Sequence, residues 1–188
     1  MSIVVTTRKF TVDEYHTMIQ SGILHEDDRV ELLEGEIVEM SPISSKHAGC
    51  LKRLVEFFSI LLVHKKAHLG VQDPVSISKT SEPQPDLSLL KYRKMAYSDR
   101  HPRPDEIYLL IEISESSRST DREIKLPLYA KEKIREVWLV DLINEVVERY
   151  LEPKGGAYQR IEKYVSGQEI SPQAFPDFRL AVKDILLK

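Results

Sequence analysis

The run Ile107-Tyr108-Leu109-Leu110-Ile111-Glu112-Ile113 reads as a strand buried on both faces, yet it carries a carboxylate near its end. Such a run needs a sheet covered on both sides, because neither face is suited to water. It also needs a reason for Glu112, since a buried carboxylate is costly unless it is paired or holds a metal. A second acid, Asp86, follows Pro83-Gln84-Pro85 and opens another apolar run, Leu87-Ser88-Leu89-Leu90. Two carboxylates at the ends of neighbouring strands can bind one divalent cation. With Lys125 following downstream, the set suits metal-assisted hydrolysis of a phosphodiester.

Local patterns fill in the elements around this pair. Thr11 and Glu14 form a capping-box pattern for a helix over 12–19. Val30-Glu31-Leu32-Leu33 and Glu36-Ile37-Val38-Glu39-Met40 alternate like strands, with Glu34-Gly35 as the turn between them. Ser44 or Ser45 caps a helix running to about Ala67, whose apolar face is Ala48, Leu51, Val55, Phe58 and Leu62. Strands follow over 71–78, 86–90 and 107–114, with a long loop over 92–105. Thr120 and Glu123 give a second capping-box pattern, for a helix toward Lys133 kinked at Pro127. Glu136-Val137-Trp138-Leu139-Val140-Asp141 is a buried strand. Residues 146–150 and 158–164 form a closing hairpin around Lys154-Gly155-Gly156. Strand, crossover helix and the Trp138 strand make a right-handed parallel unit. The expected fold is therefore α/β, a mixed sheet with helices on both faces. At 188 residues, one domain spanning 1–188 is expected.

Seven fragments recur in a family's order over nearly the whole chain. They are Val30-Glu31-Leu32-Leu33-Glu34-Gly35-Glu36, Met40-Ser41-Pro42 followed by His47, Gln84-Pro85-Asp86, Ile111-Glu112-Ile113-Ser114, Asp121-Arg122-Glu123-Ile124-Lys125-Leu126-Pro127-Leu128-Tyr129-Ala130, Val137-Trp138-Leu139-Val140-Asp141, and Ser171-Pro172 to Phe175-Pro176-Asp177. In them the chain resembles the PD-(D/E)XK nuclease superfamily and, within it, the Uma-two family of restriction endonucleases. The resemblance implies a restriction-endonuclease-like three-layer fold, a mixed central sheet flanked by helices with N- and C-terminal β-hairpins. It implies a metal-dependent endonuclease acting on DNA, with Asp86 and Glu112 as metal ligands. The superfamily motif normally places a lysine two residues after the strand acid. Here that position is Ser114, which carries no positive charge, and the resemblance implies that the role has moved to Lys125. Asp121, Lys125 and Tyr129 are four apart and share a helix face. The alternative is an exposed ion pair between Asp121 and Lys125. Glu31 matches the family's recurrent acid, as a third ligand or the holder of a metal water; the alternative is an ordinary outward strand residue.

Other residues bear on the substrate. His47 opens the long helix, where free amides favour anions, and is read either as a phosphate donor or as a solvated histidine. Lys91, Arg93, Lys94, Arg100 and Arg103, with Tyr92 and Tyr97 between them, form a basic loop that is either solvated or holds a nucleic-acid backbone. Since the net charge is −3, any polyanion partner needs such a local patch. No Glu-x-x-His cluster appears, so the site is expected to be oxygen-rich and to select magnesium or manganese. Cys50 is the sole cysteine, which excludes an intramolecular disulfide and a cysteine-rich zinc site. Ser114, Ser116 and Ser117 lack the context of a hydrolase nucleophile elbow. The N-terminus lacks a signal-peptide core and the apolar stretches are too short to span a membrane, so a soluble cytoplasmic protein is expected. Enzymes of this fold that cut duplex DNA are commonly dimers, and Val146, Tyr150, Tyr158 and Tyr164 are candidates for an apolar two-fold surface. The competing class is a catalytically inactive module that keeps the fold for binding or assembly. Ser114 and the acidic charge favour that module; Asp86, Glu112 and Lys125 favour the enzyme.

Overall fold

The computed structural model describes residues 7–25, 27–115 and 120–188; Ser116, Ser117 and the segment 1–6 read for a leader lie outside them. Six strands form the central sheet in chain order: β3 (Ala67–Val71), β4 (Leu87–Lys91), β5 (Ile107–Ser114), β6 (Glu136–Asp141), β7 (Val146–Lys154) and β8 (Ala157–Tyr164). Every neighbouring pair is antiparallel except β5 and β6, which run parallel. A parallel pair needs a crossover, and the chain supplies it with helix α3 (Leu126–Lys131). Leu109, Ile111 and Ile113 pack with Leu54 and Phe58 of the long helix α2 (Ser45–Val63). Leu110 packs on the other side, with Leu126, Leu128 and Tyr129 of α3. The sheet is thus covered on both faces, the three-layer mixed arrangement expected of the apolar runs. Among the described residues, no helix is long and apolar enough to cross a membrane.

At the N-terminus, helix α1 (Val12–Gln20) carries the expected capping box: the Glu14 amide donates to Thr11 Oγ1 at 3.2 Å, and the Thr11 amide to Glu14 Oε2 at 3.0 Å. A separate hairpin follows, β1 (Val30–Leu33) with β2 (Glu36–Glu39). Its two-residue turn holds Glu34 at φ 47° and Gly35 at φ 78°, the left-handed pair that matches strand twist. A Cβ at Gly35 would lie 2.6 Å from Lys9 Cβ. Gly35→Ala is therefore expected to cost about 1–3 kcal/mol in a urea titration, from backbone strain alone. A variant as stable as the parent would show that this turn can relax.

Four local expectations are corrected. The long helix stops at Val63, and the strand read over 71–78 is instead Ala67–Val71. Lys65 enters the left-handed region at φ 53°, which breaks the helix early. Val75 and Ile77 alternate because both are core residues under irregular backbone, not because a strand runs there. Second, strict alternation along 107–114 would put Tyr108 on one face with Leu110 and Glu112, and it does not lie there. The β4–β5 register passes from Leu89↔Leu109 to Leu90↔Ile107, leaving Tyr108 as an extra residue. A bulge of this kind resets the alternation, and Tyr108 packs against Phe175 on the α2 side. Third, Thr120 is no cap: it is helical at φ −49°, and its side chain makes no cap hydrogen bond. Asp121–Lys125 winds as a π turn, and α3 begins at Leu126 with Pro127 in its first turn, where a missing amide is tolerated. Finally, Val146 and Tyr150 are buried, Tyr158 donates to the Ile134 carbonyl at 2.8 Å, and Tyr164 packs on the core. Val146 and Tyr150 therefore supply no outward surface, while Tyr158 and Tyr164 are half-buried against the domain.

Candidate active site

A cleft of about 250 Å³ opens where β4 begins and β5 ends, lined by Glu31, His47, Gln72, Asp86, Glu112 and Lys125 among others. Its geometry follows from strand pairing. Leu87 pairs with Ile111, so Asp86, one step before β4, stands level with Glu112 on β5. Asp86 Oδ2 accepts from the Ile113 amide at 2.8 Å. Its Oδ1 lies 2.8 Å from His47 Nε2, at the start of α2, and 3.1 Å from Gln72 Nε2. Glu112 is 2% exposed and accepts at Oε1 from the Tyr129 hydroxyl at 2.6 Å.

Lys125 closes the set from the crossover. Its Nζ lies 3.1 Å from Glu31 Oε2, 3.4 Å from Glu112 Oε1 and 3.6 Å from Asp121 Oδ1. It is 4% exposed, so the alternative of a solvated Asp121–Lys125 pair does not hold. Glu31 is not an outward strand residue either: it is 3% exposed, and the Gln84 amide donates to its Oε2 at 2.9 Å. The structure thus brings Asp86, Glu112, Lys125, Glu31 and His47 together. Ser114 is buried on the same cleft, where the superfamily pattern has its lysine, while the ammonium arrives from Lys125 instead.

Burial pushes the Glu112 carboxyl well above the usual carboxylate range, and the Lys125 charge only partly opposes it. Burial raises Asp121 as well, again partly opposed by Lys125. Burial works against the Lys125 ammonium, but Glu112, Glu31 and Asp121 outweigh it, and its pKa is raised. At His47, burial lowers the pKa, yet the hydrogen bond and charge of Asp86 leave it raised. Among the described lining residues, the acids Glu31, Glu39, Asp86, Glu112, Glu115 and Asp121 stand against Arg29, His47 and Lys125. An excess of carboxylates, hard oxygen donors in a cleft open to water, fits a divalent cation.

The basic loop is placed elsewhere. Lys91 ends β4, four residues beyond Leu87, and strands rise by roughly 3.3 Å per residue, so Lys91, Arg93 and Lys94 sit at the far end of the sheet from Asp86. Arg93 is engaged there, donating to Asp99 Oδ2 at 3.0 Å and lying 4.9 Å over the Tyr97 ring. The structure does not bring these three cations to the acids. Gln72 carries no sequence signal for the site: its reach depends on a φ of 54° that no residue pattern announces. Tyr129 was foreshadowed only by its spacing from Lys125.

A family model named Uma2, with the description "Putative restriction endonuclease", matches residues 12–183. No curated protein gives a significant match. Among solved structures, a crystal structure from Anabaena variabilis ATCC 29413, described as "a putative nuclease belonging to DUF820", superposes with a TM-score of 0.74. It is 18% identical and covers 95% of this chain and 98% of that one. At that identity the likeness is one of fold.

Proposed function

Because the chain belongs to the Uma2 family of restriction-endonuclease-like proteins, we propose that it is a magnesium- or manganese-dependent endonuclease that hydrolyses phosphodiester bonds of DNA. The observation that carries this reading is the buried Lys125 ammonium held among Glu31, Glu112 and Asp121, in one open cleft with Asp86. An ion pair serving stability alone does not call for such an excess of carboxylates, since unpaired buried charge is destabilising.

Asp86 and Glu112 would hold the divalent ion, which when bound supplies Lewis acidity toward a phosphoryl oxygen and makes a water more acidic. The protein's own groups do the rest. Tyr129 fixes the Glu112 carboxylate, and the Ile113 amide and Gln72 fix that of Asp86. Glu31 aims the Lys125 ammonium, which donates to anionic oxygen as charge develops on the phosphate. His47 presents a protonatable Nε2 at the entrance, beside Asp86. Lys91, Arg93 and Lys94 enter this reading only as contacts to a stretch of nucleic-acid backbone beyond the scissile bond.

The test is plasmid nicking by the purified chain in magnesium or manganese, with none in chelator. Inactivity on single-stranded, double-stranded and structured DNA with both ions, together with no metal uptake in calorimetry, would replace the enzyme with a non-catalytic binding or assembly module. Cutting both strands of a duplex also calls for two sites, so a homodimer belongs to the proposal. Sedimentation at micromolar concentration is expected to give the dimer mass; a strict monomer would remove this part.

A further inference from the structure

Away from the acid cleft, three residues from distant parts of the chain converge. His16 lies on α1, Glu82 bridges Leu32 of β1, and His101 lies in the loop after β4. One ligand atom of each lies within 4.8 Å of the other two, and His16 Nε2 is 2.7 Å from Glu82 Oε1. A second observation points to a ligand. Glu82 is 3% exposed, and its Oε2 has no hydrogen-bond partner. A buried carboxylate oxygen left unsatisfied is costly, which makes it an anomaly that calls for an occupant. All three side chains line one hollow, of about 300 Å³.

We infer that His16, Glu82 and His101 form a zinc site, separate from the proposed magnesium site and independent of whether the chain is a nuclease. Two imidazoles and one carboxylate are the donor set of a borderline ion, whereas magnesium prefers oxygen. With zinc–ligand distances of roughly 2.0–2.2 Å, tetrahedral ligand atoms stand roughly 3.3 Å apart. Small rotations of the two half-buried imidazoles accomplish that closure. The backbone already fixes the three supports. The Val12 amide bonds the Lys79 carbonyl at 2.9 Å, the Glu82 amide bonds Leu32 at 2.8 Å, and the Ser76 amide bonds Pro102 at 2.9 Å. Three protein ligands leave one position open toward the hollow, so the ion both clips α1 to the loop after β4 and can take a water or small anion.

The test strips the purified chain with chelator, dialyses it against zinc and counts the metal by elemental analysis, with cobalt(II) as a spectroscopic substitute. The wild type is expected to retain zinc and to show the intense visible bands of low-coordinate cobalt. A double variant Asp86→Asn, Glu112→Gln should retain both properties, which separates this site from the acid cleft. Glu82→Gln, close in shape, and His101→Ala should each weaken zinc by more than the roughly 10–100-fold typical of losing an outer hydrogen-bond partner. Zinc should raise the melting temperature of the wild type and not that of Glu82→Gln. If His101→Ala fails to fold, Glu82→Gln and the wild-type titration decide. No zinc uptake by the wild type, or uptake that follows Asp86 and Glu112 and ignores Glu82, overturns the inference.

Discussion

Glu112→Gln is expected to abolish cleavage while leaving the fold at least as stable as the parent. Glutamine keeps the shape, and its carbonyl oxygen can still accept from Tyr129, which now donates to Oε1 at 2.6 Å. What disappears is the charge. Burial disfavours that charge more than Lys125 favours it, Asp121 and Asp86 repel it, and Lys125 keeps Glu31 and Asp121 as partners. Removing it relieves the protein and deprives the proposed metal of a ligand. A Lewis acid contributes several kcal/mol to such chemistry, and each 1.36 kcal/mol is tenfold, so the rate should fall by at least about 10³-fold. Plasmid nicking and thermal melts on the same preparation test both halves. An active variant would remove Glu112 from the site. A variant that melts far below the parent would make Glu112 a structural partner of Lys125 and Tyr129.

The layers and the heart of the cleft were legible because they rest on local, period-two patterns. Ile107–Ser114 and Glu136–Asp141 are strands with the bounds their apolar runs predict. Once β5 was placed, Glu112 had to lie inside, and the four-residue spacing of Asp121, Lys125 and Tyr129 aimed the ammonium at it. What stayed hidden depends on non-local pairing or on backbone torsions. Ala67–Val71 contains Gly70, a poor strand former, whose Cβ position would lie 2.4 Å from Ser88 Oγ. Its identity as a strand comes from its partner, not from its own residues. The same holds for Tyr108, displaced by a bulge, and for Gln72. His16, Glu82 and His101 show no ligand spacing at all, because three separate segments must fold before they meet. The basic loop lies away from the acids for a related reason: it follows Asp86 closely in sequence, but an entire strand intervenes.

Lys125→Met is expected to destabilise the protein by about 3–5 kcal/mol at neutral pH, the usual cost of removing one partner from a buried ion pair. Methionine retains most of the apolar stem, so packing is largely kept. The carboxylates of Glu31, Glu112 and Asp121 lose their shared cation. For Glu112 and Asp121, burial already raises the pKa and Lys125 is the leading opposing influence. Without it, both folded-state pKa values rise further above those of the unfolded chain. The folded variant then holds protons more tightly than the unfolded one, so its stability decreases as pH rises. The defect is absent below the ordinary carboxylate pKa and grows until the pH exceeds the raised folded values. Urea titrations at pH 5 and pH 7.5 should therefore show the variant closer to wild type in acid. Magnesium should also recover part of the loss at pH 7.5, since the acids now lack their internal counter-charge. Equal destabilisation at both pH values, untouched by magnesium, would mean that Lys125 matters for packing alone. It would also remove the electrostatic reason for placing a cation in this cleft.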